Sequence, residues 1–175
     1  MIVKIEKSNN LTELSNVVIL ASHVNSLKDG ILTSAEIDHI SRSHNLLKTD
    51  SFDFNRLGYW VFVRILKDEN EISKTLEKYR KNGDALQLFL NAQKQVSVTV
   101  NGTDVTNEQI MAFAEGMALG SYQFIKYQKD KTEKGNTLRE VKVISNEIEA
   151  SEVEELNILV SAVCKSRALV NEQVM

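Results

Sequence analysis

The sequence contains no proline and a single cysteine, Cys164, among its 175 residues. One cysteine cannot form an internal disulfide, which agrees with a reducing compartment, and its helical surroundings predict a small core residue. No run of about eighteen apolar residues occurs, and the first residues, MIVKIEKSNN, lack the long apolar region of a signal peptide. We therefore expect a soluble, cytoplasmic protein that crosses no membrane.

An excess of positive charge is also missing. Lysine and arginine number 21 against 24 aspartates and glutamates, so the net charge is −3 and the pI is about 5.7. Binding to a phosphate backbone needs a basic face or stripe, and this balance disfavours nucleic-acid partners. The local basic cluster is interrupted by acidic residues, which is typical of a solvated loop. Its lysines are Lys126, Lys129, Lys131 and Lys134.

Residues with metal-binding or catalytic chemistry are scattered along the chain. The histidines are His23, His39 and His44, and no two have the i, i+4 spacing that stacks two ligands on one helical face. Asp50 and Asp53 flank a phenylalanine in a predicted loop, and two carboxylates alone rarely hold a divalent cation. The densest acidic cluster starts the last predicted helix, where carboxylates are favoured by the helix dipole. Its members are Glu147, Glu149, Glu152, Glu154 and Glu155. We predict no catalytic, cofactor-binding or metal-binding residue in this chain.

Strands and helices alternate along the sequence. Residues 17–21 are a short continuous apolar run, typical of a strand buried on both faces, whereas residues 95–100 alternate between valine and polar residues. Aromatic and β-branched residues at 59–66 predict a strand in the centre of the sheet. Further strands are predicted at 2–6 and around 138–143. This order predicts an α/β fold, with a mixed, largely parallel sheet sandwiched by helices.

Capping boxes mark three predicted helix starts. In such a box, a hydroxyl and a side chain three residues later satisfy backbone N–H groups reciprocally. The boxes are Thr33 with Glu36, Thr106 with Gln109, and Ser151 with Glu154.

Residues 70–93 also have a helical pattern, with a kink or break predicted at Asn82-Gly83. Apolar spacing predicts which side chains of the first two helices face the core. These are Ile37, Ile40 and Leu47 in the first helix, and Ile72, Leu76, Tyr79, Leu86 and Leu90 in the second.

The most informative stretch is EGMALGSYQFIKY, residues 115–127, which joins small residues to aromatics at helical spacing. It predicts a helix that runs to about Tyr127 and packs an apolar stripe against the core. Gly116 and Gly120 lie one turn apart, although each glycine costs a helix interior roughly 1 kcal/mol relative to alanine. The pair therefore predicts close backbone packing against a neighbouring helix or sheet.

This stretch resembles the E-G-x-x-L-x-x-Y-x-F-x-x-Y signature that closes the amino-terminal domain of leucyl aminopeptidases, hexameric two-metal exopeptidases. The residues that carry this resemblance are Glu115, Gly116, Leu119, Gly120, Tyr122, Phe124 and Tyr127. A second segment is similar to the family's R-D-L-V-N-x-P linker, which leads into the catalytic half. It consists of Arg167, Leu169, Val170, Asn171 and Glu172. Ala168 replaces the family's aspartate and Gln173 its proline, so we expect a looser junction and a last helix that continues towards Met175.

The resemblance implies a macro-domain-like domain in residues 1–150 and a connecting helix in residues 151–175 that leads to a catalytic domain. In this family the two divalent metals, zinc or manganese, and their ligands belong to the carboxy-terminal half. The chain alone is therefore expected to be inactive and to carry no cofactor. The implied partners are its own catalytic domain and, in the parent enzyme, a hexamer that acts on peptides.

Two alternatives follow from the same resemblance. A stand-alone macro-like module would bind a small ligand or a protein partner, but cradling a pyrophosphate such as that of ADP-ribose needs glycine-rich loops. None of the seven glycines is adjacent to another or set as G-x-G. A DNA-binding accessory, as in some bacterial members of the family, is weakened by the acidic balance. The leading hypothesis is a non-catalytic amino-terminal domain that supports assembly and controls access to active sites.

Overall fold

The computed structural model describes residues 2–11, 14–125 and 135–172. The strands in these residues are β1 (Lys4–Ser8), β2 (Val17–Ala21), β3 (Ser51–Asn55), β4 (Trp60–Ile65), β5 (Ser97–Gly102) and β6 (Glu140–Ile144). The helices are α1 (Ser34–Leu47), α2 (Ile72–Ala92), α3 (Asn107–Gly120) and α4 (Ala150–Glu172), and a 3-10 turn spans Val24–Ser26. None of the helices described is long and apolar enough to cross a membrane.

The strands form one sheet in the order β1-β6-β5-β2-β4-β3. Neighbouring strands are parallel except for the antiparallel hairpin of β3 and β4, which confirms the predicted mixed, largely parallel sheet. β2 is buried along its whole length, as predicted. β4 is an interior strand but lies next to the edge, not at the centre. The sequence pattern misses β3, because Phe52 and Phe54 alternate with polar residues over only five positions, and Asp53 lies in this strand and not in a loop.

Helices cover the two faces of the sheet unequally. α2, α3 and α4 pack on one face, where Ile5 and Val141 join the larger core. α1 packs on the other face through Ile40, and the smaller core there takes its strand residues from β2, β3 and β4. On this second face, the side chains of β1 and β6 form ion pairs, as is typical of a strand face in contact with water. These pairs are Lys4 with Glu6 at 2.5 Å and Lys142 with Glu140 at 3.2 Å.

Glycines bring the backbones of α2 and α3 into direct contact. A Cβ atom built on Gly116 would lie 2.0 Å from the carbonyl oxygen of Arg80, and one on Gly83 would lie 2.1 Å from that of Phe113. Gly120 has no more space, because its Cβ would lie 1.9 Å from Asp84 Oδ1. The predicted close packing is confirmed, whereas the predicted kink at Gly83 is wrong: α2 runs unbroken past it. That glycine serves the contact with α3.

The helix of the signature stretch ends earlier than predicted. α3 stops at Gly120, because donors from outside the helix take the carbonyl groups of its end. Arg167 Nη1 donates to the Leu119 carbonyl at 2.9 Å, and Asn136 Nδ2 donates to that of Ser121 at 2.9 Å. The chain then continues without helix to residue 125, and Tyr127 lies outside the described residues.

Other differences from the predictions lie at helix ends. The boxes at Thr33 and Thr106 are confirmed, but the Glu149 N–H, preceding α4, donates to the Glu152 carboxylate at 2.7 Å, so a side chain other than that of Ser151 serves the start of the helix. Leu47 and Ile72 are 73% and 76% exposed, and not inward-facing as predicted. They are the last residue of α1 and the first of α2, where a helix extends past the core it covers.

We predict that Gly83→Ala lowers the free energy of unfolding by at least about 2 kcal/mol, because the new methyl group meets the Phe113 carbonyl and outweighs alanine's higher helix propensity. Urea unfolding at constant m-value measures the change. The matched control is Gly58→Ala, where no atom lies within 4 Å and the change is expected to stay within about 0.5 kcal/mol. Equal stability of the two variants would contradict the packing described for α2 and α3.

Candidate functional site

The two segments that carry the family resemblance meet in space. The Arg167 guanidinium donates to the Leu119 carbonyl at 2.9 Å. The central carbon of the guanidinium, Cζ, lies 6.0 Å from the ring centroid of Tyr122. Arg167 belongs to α4, whereas Leu119 and Tyr122 lie at and just after the end of α3. The contact combines a hydrogen bond to a helix-terminal carbonyl with a cation–π interaction. It fixes the second half of α4 relative to α3.

An ion pair holds the same end of α3 against α2. Arg80 Nε donates to Glu115 Oε2 at 2.7 Å, and the Glu115 side chain is only 14% exposed. Because Gly116 packs on the backbone of Arg80, the ion pair and the backbone contact involve the same turn of each helix. Glu115 and Gly116, the first two residues of the signature, thus position the helix pair.

Tyr122 lies between two shallow depressions. One, of about 420 Å³, is polar and is lined by Arg80, Asp84 and Arg167 among others. The other, of about 550 Å³, is more apolar and includes Ile2 and Cys164. The Tyr122 hydroxyl is buried and has no hydrogen-bond partner in the described parts of the chain. A buried hydroxyl without a partner is costly, so this oxygen is suited to a contact from another segment or molecule.

Cys164 is a core residue, as predicted. It is 2% exposed and belongs to the larger core. Burial raises the pKa of its thiol and outweighs the opposing effect of nearby Arg167. The thiol therefore remains protonated near neutral pH, which makes it a poor nucleophile.

The carboxyl ends of the parallel strands, here called the crest, form the edge where open α/β sheets usually bind ligands. Ser22 follows β2 and Asp104 follows β5. The Ser22 N–H donates to Asp104 Oδ1 at 2.7 Å, and its hydroxyl donates to Oδ2 at 2.6 Å. A carboxylate of the chain thus occupies a crest amide that could otherwise bind a phosphate oxygen.

Hydrogen bonding sets the charge state of Asp104. Partial burial alone would raise the pKa of this carboxyl group, but hydrogen bonds from the Ser22 hydroxyl and amide, with others from Ser26 and Thr103, lower it below its usual value. Nearby, Asn107 Nδ2 donates to Glu147 at 3.3 Å, and its Oδ1 accepts from Ser145 at 2.8 Å. The crest is therefore acidic and internally hydrogen-bonded.

The histidines and acidic residues considered in the sequence do not converge on one site. His44 Nδ1 lies 3.0 Å from Asp50 Oδ1, whereas His39 packs edge-on against aromatic rings of β3 and His23 only precedes the 3-10 turn. Asp53 accepts from Arg64 Nη1 at 2.7 Å. In the part of the chain that the structure describes, no three His, Cys, Asp or Glu side chains are grouped so as to hold a metal ion. That the chain supplies no catalytic, cofactor or metal residue stays a prediction.

Sequence reasoning missed the contacts between distant segments. Nothing in the sequence pairs Arg167 with Leu119, because the acceptor is a backbone carbonyl. The sequence contains a weak indication that Ser22 and Asp104 lie close together. Ser22 directly follows one predicted strand and Asp104 closely follows another, and parallel strands end at the same edge of a sheet.

These features define a three-layer α/β domain in which a signature turn on α3 is joined to the last helix. Neither a protein-family profile nor a curated protein sequence matches the chain. Solved structures do. A mutant tomato leucine aminopeptidase matches with a TM-score of 0.62 and 14% identity, over 93% of this chain and 36% of that one. The bottromycin maturation enzyme BotP in complex with Mn matches with a TM-score of 0.58 and 19% identity, over 89% of this chain and 32% of that one.

A mutant macrodomain from Oceanobacillus iheyensis matches with a TM-score of 0.58 and 13% identity, over 90% of this chain and 92% of that one. The chain thus spans about a third of the length of the aminopeptidase and BotP chains and nearly the whole of the macrodomain. At such identities the likeness establishes the fold alone. The chain has the macrodomain fold, which also forms the amino-terminal regions of leucine aminopeptidases.

We predict that Arg167→Ala destabilises the protein by up to about 1 kcal/mol, through loss of the bond to the Leu119 carbonyl and of the contact with Tyr122. Hydrogen exchange of the Ser121 amide, which bonds to Met117 in the last turn of α3, should become faster. Lys165→Ala, a change at a neighbouring exposed cation, serves as the control and should leave both quantities unchanged in dilute solution. Unchanged exchange in the Arg167 variant would argue against the contact.

We predict a pH signature for Asp104. Its folded-state pKa is lowered, so ionised Asp104 contributes stability that is present above its unfolded-state pKa, near 3.8, and is lost as the pH falls through the lower folded-state pKa. Asp104→Asn should be less stable than the wild type near neutral pH, and the difference should shrink below about pH 4. Urea unfolding at several pH values measures it. A difference independent of pH would show that the carboxylate's charge is not what stabilises the crest.

Proposed function

We propose that this chain is the non-catalytic amino-terminal domain of a metal-dependent leucyl aminopeptidase, an enzyme that releases amino-terminal residues from peptides. The observation that carries the proposal is the junction of Arg167 with Leu119 and Tyr122. Two segments picked out independently by their resemblance to this family are in direct contact. The macrodomain fold and the match to about a third of an aminopeptidase chain support the same assignment.

A supporting role agrees with the chemistry of the described residues. The two divalent metals implied by the resemblance, zinc or manganese, find no suitable group of ligands among them. In this proposal, as the resemblance implies, the metals and their ligands belong to a catalytic domain, and no step of peptide hydrolysis is assigned to residues described here. In this proposal residues 1–150 are the macro-like domain and residues 151–175 the connecting helix; α4 covers the latter as far as Glu172, and residues 173–175 lie outside the described part of the chain.

The proposed role is assembly and control of access. α4 is held at its second half by Arg167, and in this proposal it would transmit the orientation of the domain to the catalytic domain. In the parent enzyme, the domain would contact its own catalytic domain and neighbouring subunits of a cytoplasmic hexamer. The domain would not bind peptide substrates itself but would line part of their path to the active sites.

A stand-alone macro-like module remains the second candidate, because the macrodomain match covers about nine-tenths of both chains. Its ligand would be a small molecule at the crest or a protein partner. The bonds from Ser22 to Asp104 count against a phosphate-bearing ligand, because a carboxylate already occupies the amide and repels anions.

The coding sequence beyond the codon for Met175 separates the two candidates. We expect it to continue into a second domain with a cluster of lysine, aspartate and glutamate metal ligands. A stop codon at that point would overturn the proposal in favour of the stand-alone module.

The purified chain should show no hydrolysis of leucine p-nitroanilide with added zinc or manganese, and no heat of binding with ADP-ribose in calorimetry. Turnover by this chain would contradict the assignment of the chemistry to another domain. Binding of ADP-ribose that Asp104→Ala strengthens would favour the second candidate.

A further inference from the structure

Charged side chains of both signs line one depression between α2, α3 and α4. This depression, of about 420 Å³ and here called the polar depression, is bordered by Arg80 and Asp84 of α2, by Arg167 of α4 and by the end of α3. Its volume lies within the range of small-molecule sites. The polar depression is therefore large enough for a small ligand whose polar groups match these side chains.

The carboxylate of Asp84 is held in place at the wall of the polar depression. A Cβ atom on Gly120 would lie 1.9 Å from Asp84 Oδ1, so this glycine allows the carboxylate to lie directly against α3. Asp84 Oδ1 accepts from Nε2 of the buried Gln87 at 3.2 Å. The second oxygen, Oδ2, makes no hydrogen bond to a described residue, so one oxygen of a positioned carboxylate is left to accept from a ligand.

The two arginines are each held through one nitrogen. Arg80 donates through Nε to Glu115 at 2.7 Å, and Arg167 donates through Nη1 to the Leu119 carbonyl at 2.9 Å. A guanidinium group has several N–H donors, and neither arginine makes a further hydrogen bond within the described residues. Both therefore keep donors for a carboxylate, the group that a guanidinium binds in a planar, bidentate manner.

Opposite charges border the polar depression without pairing directly. Arg80 and Asp84 are four positions apart on α2, where side chains are neighbours on the helix surface. They form no ion pair with each other, because Glu115 holds the arginine and Gln87 holds the aspartate. A molecule that carries an ammonium group next to a carboxylate is suited to bridge this gap.

The charges around the polar depression balance. Glu77 and Lys81 also line it, with 3.9 Å between their charged groups. When Glu115, the partner of Arg80, is included, three positive charges face three negative ones: Arg80, Lys81 and Arg167 against Glu77, Asp84 and Glu115. A surface without net charge favours a zwitterion over an anion or a cation of the same size.

We propose that the polar depression binds a free α-amino acid with an apolar side chain. Asp84 accepts from its ammonium group, Arg80 and Arg167 donate to its carboxylate, and its side chain lies against Leu119 and the ring of Tyr122, which also line the depression. Since the partners of the ligand belong to α2 and α4, the bound amino acid also holds α4 against α2. This inference goes beyond the proposed function and does not rest on it, because it uses only contacts within the described chain.

Exposure limits the affinity. The Arg80 side chain is 36% exposed, and ion pairs in contact with water contribute little each. We therefore expect a Kd of about 1 to 10 mM for L-leucine, which is chosen as the probe because its side chain is apolar.

An NMR titration of the isotope-labelled chain with L-leucine, from about 0.5 to 50 mM, tests the site, since that range spans the expected Kd. The amides of Gly116, Gly120 and Ser121 should shift saturably. Isocaproate, which is leucine without its ammonium group, and isoamylamine, which is leucine without its carboxylate, should each bind at least about fivefold more weakly. Glycine should also bind more weakly, because it has no apolar side chain to lie against Leu119.

Two variants separate the roles of the charges. Asp84→Asn keeps an oxygen for Gln87 but loses the negative charge, so it should weaken leucine binding about fivefold and should not weaken isocaproate binding. Arg167→Gln should weaken the binding of leucine and isocaproate and should not weaken that of isoamylamine. Glu154→Gln is the matched control, because this exposed carboxylate of α4 does not line the polar depression and its loss should leave leucine binding unchanged.

Three results would overturn the proposal. The first is the absence of saturable shifts up to about 50 mM leucine, well above the expected Kd. The second is equal binding of leucine and its two singly charged analogues. The third is an equal loss of leucine binding in Asp84→Asn and Glu154→Gln, which would show that the effect depends on net charge and not on this carboxylate.

Discussion

The direct backbone contact between α2 and α3 is the constraint on which the rest of the domain depends. Gly83 and Gly116 each lie where a Cβ would meet a carbonyl oxygen of the other helix, so the two helices have one separation and one register. The buried residues Phe113 and Met117 of α3 then pack on the sheet. The end of α3 is thereby fixed where Arg167 reaches the Leu119 carbonyl, and the direction of α4 follows.

The crest shows why a shared fold does not carry a shared function. Macrodomains and the amino-terminal regions of leucine aminopeptidases have the same layers, but function depends on the side chains at particular sites. Here Asp104 accepts hydrogen bonds from both the amide and the hydroxyl of Ser22, and these bonds stabilise its ionised form and lower its pKa. Because the Asp104 carboxylate already binds the Ser22 amide, the crest is a poor site for an anionic ligand.

Local rules predicted the parts of this fold that are determined locally. The boxes at Thr33 and Thr106, the buried strand β2 and the close approach at Gly116 were all readable, because each depends on neighbouring residues. The strand β3 was not predictable, since an alternation over only five residues is too short to indicate a strand. The predicted end of α3 was wrong, because Arg167, 48 positions along the chain, takes the carbonyl of Leu119. The candidate site was predicted as two segments, but the contact that joins them was not.

The two edges of the sheet are protected in different ways. An edge strand exposes unpaired N–H and C=O groups that invite another strand. On β1, the Asn157 side chain accepts from the Ile5 N–H at 3.0 Å and donates to the Ile5 carbonyl at 2.7 Å, so a side chain of α4 caps the edge at this residue. The opposite edge, β3, has only five residues, and Asp53 there is held by Arg64. One edge is thus capped at Ile5, and the other is short and carries a charge. Both edges are therefore protected by side chains and not by further strands.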